Sequence, residues 1–179
     1  QALVNTHVAA AAAMLGWLLV EKLKAGHATT LGAVSGAVAG LVAITPCAGF
    51  VSTSSALLIG LAAGAICYLS LALKNRFGFD DSLDVIAVHL IGGLLGSLLL
   101  GLFSDTTINS LGADGLFNGG GSSLLGKQLL ASVAVFAFSF GVTYIVAIII
   151  NKTMGLRVTH DEEMVGLDQS QHAETAYQV

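Results

Sequence analysis

Charged residues and helix breakers cut this chain into five long apolar segments joined by short polar connections. A helix needs about 20 apolar residues to cross the hydrocarbon core of a bilayer, and each segment predicts one such crossing. The first covers about 2–20 and ends at Glu21-Lys22-Leu23-Lys24. The second covers 30–45 and stops at Pro46, with Cys47-Ala48-Gly49 as a turn. The third covers 52–73 and ends at Lys74-Asn75-Arg76. The fourth covers 82–103, and the fifth covers 126–151, long enough to require tilt.

Lysine and arginine orient these spans. Lys22, Lys24, Lys74 and Arg76 follow the first and third, and Lys152 and Arg157 follow the fifth. The connections after the second and fourth carry no basic residue before Lys127. Basic residues stay on the cytoplasmic side, so the pattern places Gln1 outside and Val179 inside, in a multi-pass cell-membrane protein. Residues 1–154 then form a transmembrane domain and 155–179 a cytoplasmic tail.

Composition agrees. The 179 residues are 55% hydrophobic and 10% charged, where soluble domains carry about 25% charge. Twenty-two glycines against one proline suit close-packed helices. The reading is an all-α integral membrane protein, a bundle of about five transmembrane helices. No basic patch invites nucleic acid. Cys47 and Cys67 have no metal or disulfide spacing and read as packing residues, and no pattern requires a cofactor. The chain opens at Gln1, without methionine and already within an apolar segment, with no basic region that would mark a signal peptide. That predicts an upstream part.

The second span carries Gly32, Gly36 and Gly40 at four-residue spacing, a packing ridge. The fourth holds the most informative residue, His89, the one titratable group between Val85 and Phe103. Such a group is costly in a membrane and faces a bundle interior, a cavity or a pathway. Gly92, Gly93 and Gly96 follow at helical spacing and are expected on its face, which would turn that face into protein. His89 either lines a pathway or hydrogen-bonds a neighbouring helix as a core residue, and the chemistry favours the pathway. No nucleophile motif or zinc-protease pattern accompanies it, so an enzyme is not expected.

Asp84 lies five residues earlier, about 140° around a helix from His89. With Asp80, Asp81 and Ser82 it reads as a helix cap; alternatively it lines the inner mouth, where its charge favours a cation. His7 reads as interfacial, and Trp17 is expected at the inner membrane boundary. Phe50 and Phe103 mark the outer boundary, Phe77 and Phe79 the inner one. The glycine-rich loop 105–123 lacks the lysine of a phosphate cradle. The polar tail holds Arg157, His160, Asp161, Glu162, Glu163, Asp168, His172 and Glu174 and is expected to be solvated, with Gly155-Leu156, Gly166-Leu167 and Tyr177 as anchors.

Three separated stretches resemble the ammonium transporter (Amt/Mep/Rh) family, bacterial type. They are Leu31 to Pro46 with Ala48-Gly49-Phe50, then Asp84-Val85-Ile86-Ala87-Val88-His89, and then Gly155-Leu156-Arg157-Val158, Gly166-Leu167-Asp168 and His172 to Tyr177. The resemblance implies the C-terminal part of an eleven-helix inverted-repeat transporter, helices seven to eleven, assembled as a homotrimer. It implies ammonium or ammonia as permeant and His89 as the second of two pore histidines, with Asp84 as inner-end support. The first histidine and the outer gate would lie in an N-terminal half that this chain does not contain. The tail residues Gly155, Arg157, Gly166, Asp168, His172 and Tyr177 would regulate, with a PII-class protein as partner. Cys47 departs from the small residue expected after Thr45-Pro46. An ammonium sensor of the same fold, or a structural fragment that conducts nothing alone, are the alternatives.

Overall fold

The computed structural model describes residues 1–78 and 80–176, and among them every regular element is helical. The elements are α1 (Ala2–Ala25), α2 (Thr30–Ile44), α3 (Thr53–Phe77), a π-helical turn (Ile86–Ile91), α4 (Gly92–Phe103), a 3-10 turn (Leu116–Asn118), α5 (Ser123–Thr153), α6 (His160–Val165) and α7 (Leu167–Ser170). Ala2–Ala25, Thr53–Lys74, Ile86–Phe103 and Ser123–Thr153 are long and apolar enough to cross a membrane. The expected second span forms α2, an apolar helix of 15 residues, shorter than these four. The chain divides into two compact units, 1–133 and 134–179, with the boundary inside α5.

In the first unit α1 packs against both α2 and α3 through residues with almost no side chain. Its buried face is Ala9, Ala12, Ala13, Gly16 and Trp17. A Cβ added to Gly64 of α3 would sit 2.0 Å from the Ala13 carbonyl oxygen, and one on Gly60 2.4 Å from that of Ala9. The ridge on α2 is used in the same way. A Cβ on Gly36 would meet Trp17 Cβ at 2.7 Å, and one on Gly40 the Ala9 oxygen at 2.5 Å. Helices gain little from expelling lipid, so their association rests on such close approach. Trp17 is buried in this face of α1. It is 2% exposed, set edge-on to Tyr68 with ring centres 5.6 Å apart, and it forms a core cluster with Ala39, Cys67 and Val88. Gly36 and Gly64 leave room for its Cβ and backbone nitrogen.

Polar side chains close the breaks between helices. At one end of α1 the buried Asn5 amide donates to the carbonyls of Ala48 (2.9 Å) and Val51 (2.8 Å), which follow the break at Pro46. Backbone groups without helical partners must find donors inside the protein at membrane depth. Cys47, also buried, donates through Sγ to the Gly96 oxygen at 3.2 Å. At the other end the Glu21 carboxylate accepts from the Thr29 backbone N–H (3.1 Å) and hydroxyl (2.8 Å), while Thr29 Oγ1 caps α2 by accepting from Gly32 N–H at 2.8 Å. The loop after α4 is tied down by Asp105 N–H on the Phe50 oxygen (2.9 Å) and Gly115 N–H on the Ser104 oxygen (2.7 Å).

Gly64→Ala is expected to destabilise the protein by about 1–3 kcal/mol, because the Ala13 carbonyl is backbone and cannot yield. Gly126→Ala, with nothing within 4 Å of the new methyl, should be neutral or stabilising by up to about 1 kcal/mol through helix propensity. Thermal unfolding in detergent compares the two; equal shifts would mean that the seam is not close-packed.

Candidate functional site

Two positive-φ residues bracket the return from α3 to the His89 segment. Gly78 (φ 67°) ends α3, its N–H bonded to the Lys74 oxygen. After a short turn Asp84 takes φ 57°, a left-handed conformation that aspartate tolerates better than most residues. Asp81 provides the cap: its carboxylate accepts from Val85 N–H (2.8 Å) and Ile86 N–H (2.9 Å). The Ile86 N–H, then that of Val85 and the Lys74 charge, hold its carboxyl below the usual aspartate range. Asp84 does not cap. Its carboxylate pairs with Lys74 of α3, and the Lys74 amine also donates to the Asp81 carbonyl at 3.1 Å. Of the two roles considered for this acidic group, capping thus falls to Asp81, and the Asp84 charge is neutralised by a cation.

The chain then enters the π-helical turn Ile86–Ile91, which contains His89. Each N–H there reaches one residue further back than in an α-helix, and such turns are frequent at functional sites. Ala87 and Val88 point inward and are buried. Gly92 and Gly96 continue that buried line: a Cβ on Gly92 would meet Cys67 Sγ at 3.4 Å, and one on Gly96 the Ala43 oxygen at 2.1 Å. His89 does not share it. Its ring is exposed in this chain, and Gly93, the glycine nearest its side, is only half-buried. The expectation that Gly92 and Gly96 would share the His89 face is therefore corrected. The buried stripe is Val88–Gly92–Gly96, and His89 lies beside it on the open side.

Among the described residues no group hydrogen-bonds the His89 ring. His7 differs, because its ring nitrogen lies 3.0 Å from the Leu3 carbonyl of its own helix. A neutral imidazole offers one donor and one acceptor, and can exchange them by changing tautomer. His89 thus presents both functions, unspent, on an apolar surface. Among the described residues no cluster of three or more His, Cys, Asp or Glu side chains is placed to hold a metal ion.

The second unit carries the other candidate residues. Gly155 (φ 83°) ends the long helix. Arg157 Nε pairs with Glu163 Oε1 at 2.7 Å. Thr159 and Glu162 form a reciprocal capping box at the start of α6, a Thr-x-x-Glu signature the sequence displays and which marks the tail as structured. Glu162 also accepts from Gln171 Nε2 at 2.9 Å. Gly166 (φ 102°) joins α6 to α7, Asp168 accepts from the Ala176 N–H at 2.9 Å, and the His172 N–H donates to the Leu167 oxygen at 3.2 Å. The anchors Leu156 and Leu167 are exposed. Tyr177, like Phe79, lies outside the described residues. Gly155, Arg157, Gly166, Asp168 and His172 are thus joints and ties of a small helical fold.

Residues 1–177 match the Ammonium Transporter Family. The chain is 49% identical to an ammonium transporter of Bacillus subtilis (strain 168), over 99% of this chain and 44% of that protein. It is 46% identical to the ammonium transporter Amt1 of Archaeoglobus fulgidus, over 98% of this chain and 44% of that one. Among solved structures, that of Candida albicans Mep2 superposes with a TM-score of 0.83 at 38% identity, covering 95% of this chain and 39% of the other. A structure described as a sensor Amt protein gives a TM-score of 0.84 at 30% identity, covering 95% and 41%. This chain therefore spans about two fifths of the length of the proteins it matches.

The Glu162 carboxyl is held below its ordinary value of 4.5, first by the Thr159 N–H and hydroxyl and then by Gln171. A lowered folded value stabilises above the unfolded value and is lost as pH falls through the folded one. NMR shifts of residues 160–170 should stay native from neutral pH down to the ordinary glutamate range and move toward coil only below it. Glu162→Ala, which removes the acceptor that a glutamine would keep, should weaken that cap already at neutral pH. Native shifts in the variant would remove Glu162 as the hub of the tail.

Proposed function

The chain belongs to the ammonium transporter family, and from that premise we propose that it supplies the C-terminal part of a membrane transporter for ammonium, with His89 in the permeation path. The observation that carries this is the exposed, unpartnered His89 ring on a π-helical turn whose other side is packed into the core. A charged permeant is disfavoured in a dry apolar passage, which promotes loss of its proton. A neutral imidazole there accepts from or donates to ammonia without adding charge. Its partner is a second histidine, contributed by the part of the transporter outside this chain. Asp84, neutralised by Lys74, supports the inner end of that path and does not itself attract the cation.

The apolar helices belong to a multi-pass membrane protein. Within it the basic residues place Gln1 outside and the tail in the cytoplasm. The assembly is a homotrimer. The tail, through Gly155, Arg157, Gly166, Asp168, His172 and Tyr177, couples the subunits and receives a PII-class regulator. The likeness to a sensor protein supports ammonium sensing as a second reading. An open His89 face also fits a third, in which this segment alone conducts nothing, since half of an inverted repeat cannot enclose a pore.

The test is ammonium-evoked current and methylammonium uptake in proteoliposomes, using a full-length transporter carrying this segment, with and without His89→Ala. Uptake should fall by roughly tenfold or more, or selectivity should change, in correctly assembled protein. Unchanged uptake and current would make His89 a packing residue and remove it from the path.

A further inference from the structure

The segment that carries His89 starts from unusual backbone: a left-handed Asp84 followed directly by a π-helical turn. Such conformations persist only where their surroundings over-determine them. Val88, Gly92 and Gly96 fix the far side of the segment by packing. Its near end has no comparable packing, because Leu83 and Val85 are exposed. There the ties are polar, and they converge on one side chain of a neighbouring helix.

That side chain is Lys74, in the last turn of α3. Its amine holds the Asp84 carboxylate and the Asp81 carbonyl together. The Asp81 carboxylate meanwhile caps Val85 and Ile86, and the Asp84 carbonyl accepts from Val88 N–H at 2.9 Å. One ammonium group therefore touches both residues that launch the π-helical turn. Arg76, two residues further on, lies over the Phe77 ring instead, 6.0 Å from its centroid. We infer that Lys74 is a positioning residue for His89, its amine fixing the turn 81–84 so that the π-helical segment presents the imidazole on the open side of the bundle. The inference rests on the reading of His89 as a pore residue. It extends that reading to a residue on a different helix, with no contact to the permeant.

Both readouts use a full-length transporter carrying this segment, as wild type, Lys74→Met, Lys74→Arg and His89→Ala. Amide hydrogen exchange reports the geometry. In Lys74→Met, exchange at 85–91 should quicken by roughly tenfold or more while Thr30–Ile44 stays protected. Uptake reports the function: the maximal rate should fall with the half-saturating concentration held, since the lysine binds no permeant. Lys74→Arg, which keeps the cation, should restore both. Should Lys74→Met fail to assemble, Asp84→Asn removes the same pair while keeping a side chain that accepts positive φ. Unchanged exchange at 85–91 in the assembled variant overturns the proposal whatever uptake does. Quickened exchange with normal uptake also overturns it, provided His89→Ala abolishes uptake. If His89→Ala leaves uptake intact, the pore reading falls, and exchange alone then decides whether Lys74 positions the segment.

Discussion

The architecture of residues 1–133 depends on backbone lying directly against backbone along α1. The carbonyls of Ala9 and Ala13 occupy the space that side chains on Gly40, Gly60 and Gly64 would need. In water such a seam would bury little apolar area and contribute little. In lipid the comparison changes, because hydrocarbon tails solvate leucine as well as another helix does. What remains is dispersion at short range, and it is greatest where side chains are smallest. Large apolar residues are accordingly turned outward: Leu3, Leu15, Leu19 and Leu23 of α1 are all exposed. Small residues line the α1 seam, while other large ones such as Trp17, Ile44 and Ile59 fill the core beside it.

That seam determines where the His89 segment lies. With α2 and α3 both drawn against α1, the π-helical turn and α4 pack on α2 and α3, and Gly92 and Gly96 allow the approach. Left-handed backbone at a non-glycine residue costs on the order of 1–3 kcal/mol, so both Asp84 and the π-helical turn need compensation. Packing at Val88, capping by Asp81 and the Lys74 bridge provide it from three directions. Val88 touches the same cluster as Trp17 and Cys67. The exposed imidazole is thus the next residue after a fully anchored one, which limits how far it can drift.

The helices and their breaks were legible because charge and proline mark helix ends directly: Pro46 follows α2, and Lys74 and Arg76 sit in the last turn of α3. The Gly32–Gly36–Gly40 ridge was legible for the same local reason. His89 was legible as a residue but not in its orientation. Helical spacing grouped it with Gly92, Gly93 and Gly96, whereas one residue inserted into a helix rotates its two sides by about 100° relative to each other. Nothing in the apolar run announces a π-helical turn. The burial of Trp17 was not legible either, because only tertiary packing shows Gly36 and Gly64 clearing a place beside it. Asp84 looked like a cap because four polar residues preceded the span; which of them caps depends on a positive φ that aspartate permits but does not require. In the tail the capping box at Thr159 and Glu162 was readable, but acidic composition concealed it.

The contrast between His7 and His89 bears on what the open face needs. Both sit on apolar helices and both are exposed in this chain. His7, near the start of α1, meets a carbonyl of its own helix through Nδ1, so one of its two ring nitrogens is already engaged. His89 is flanked by uncharged apolar residues on both sides and finds no partner among the described residues. An unsatisfied polar group in hydrocarbon costs several kcal/mol, more than packing at Val88 alone would offset. A helix that faced only lipid would have little reason to keep an imidazole there. The ring becomes tolerable when something on the open side accepts its proton or donates one. The relatives this chain matches are more than twice its length. The same openness that leaves His89 unsatisfied in this chain is the feature on which the proposed permeation path rests.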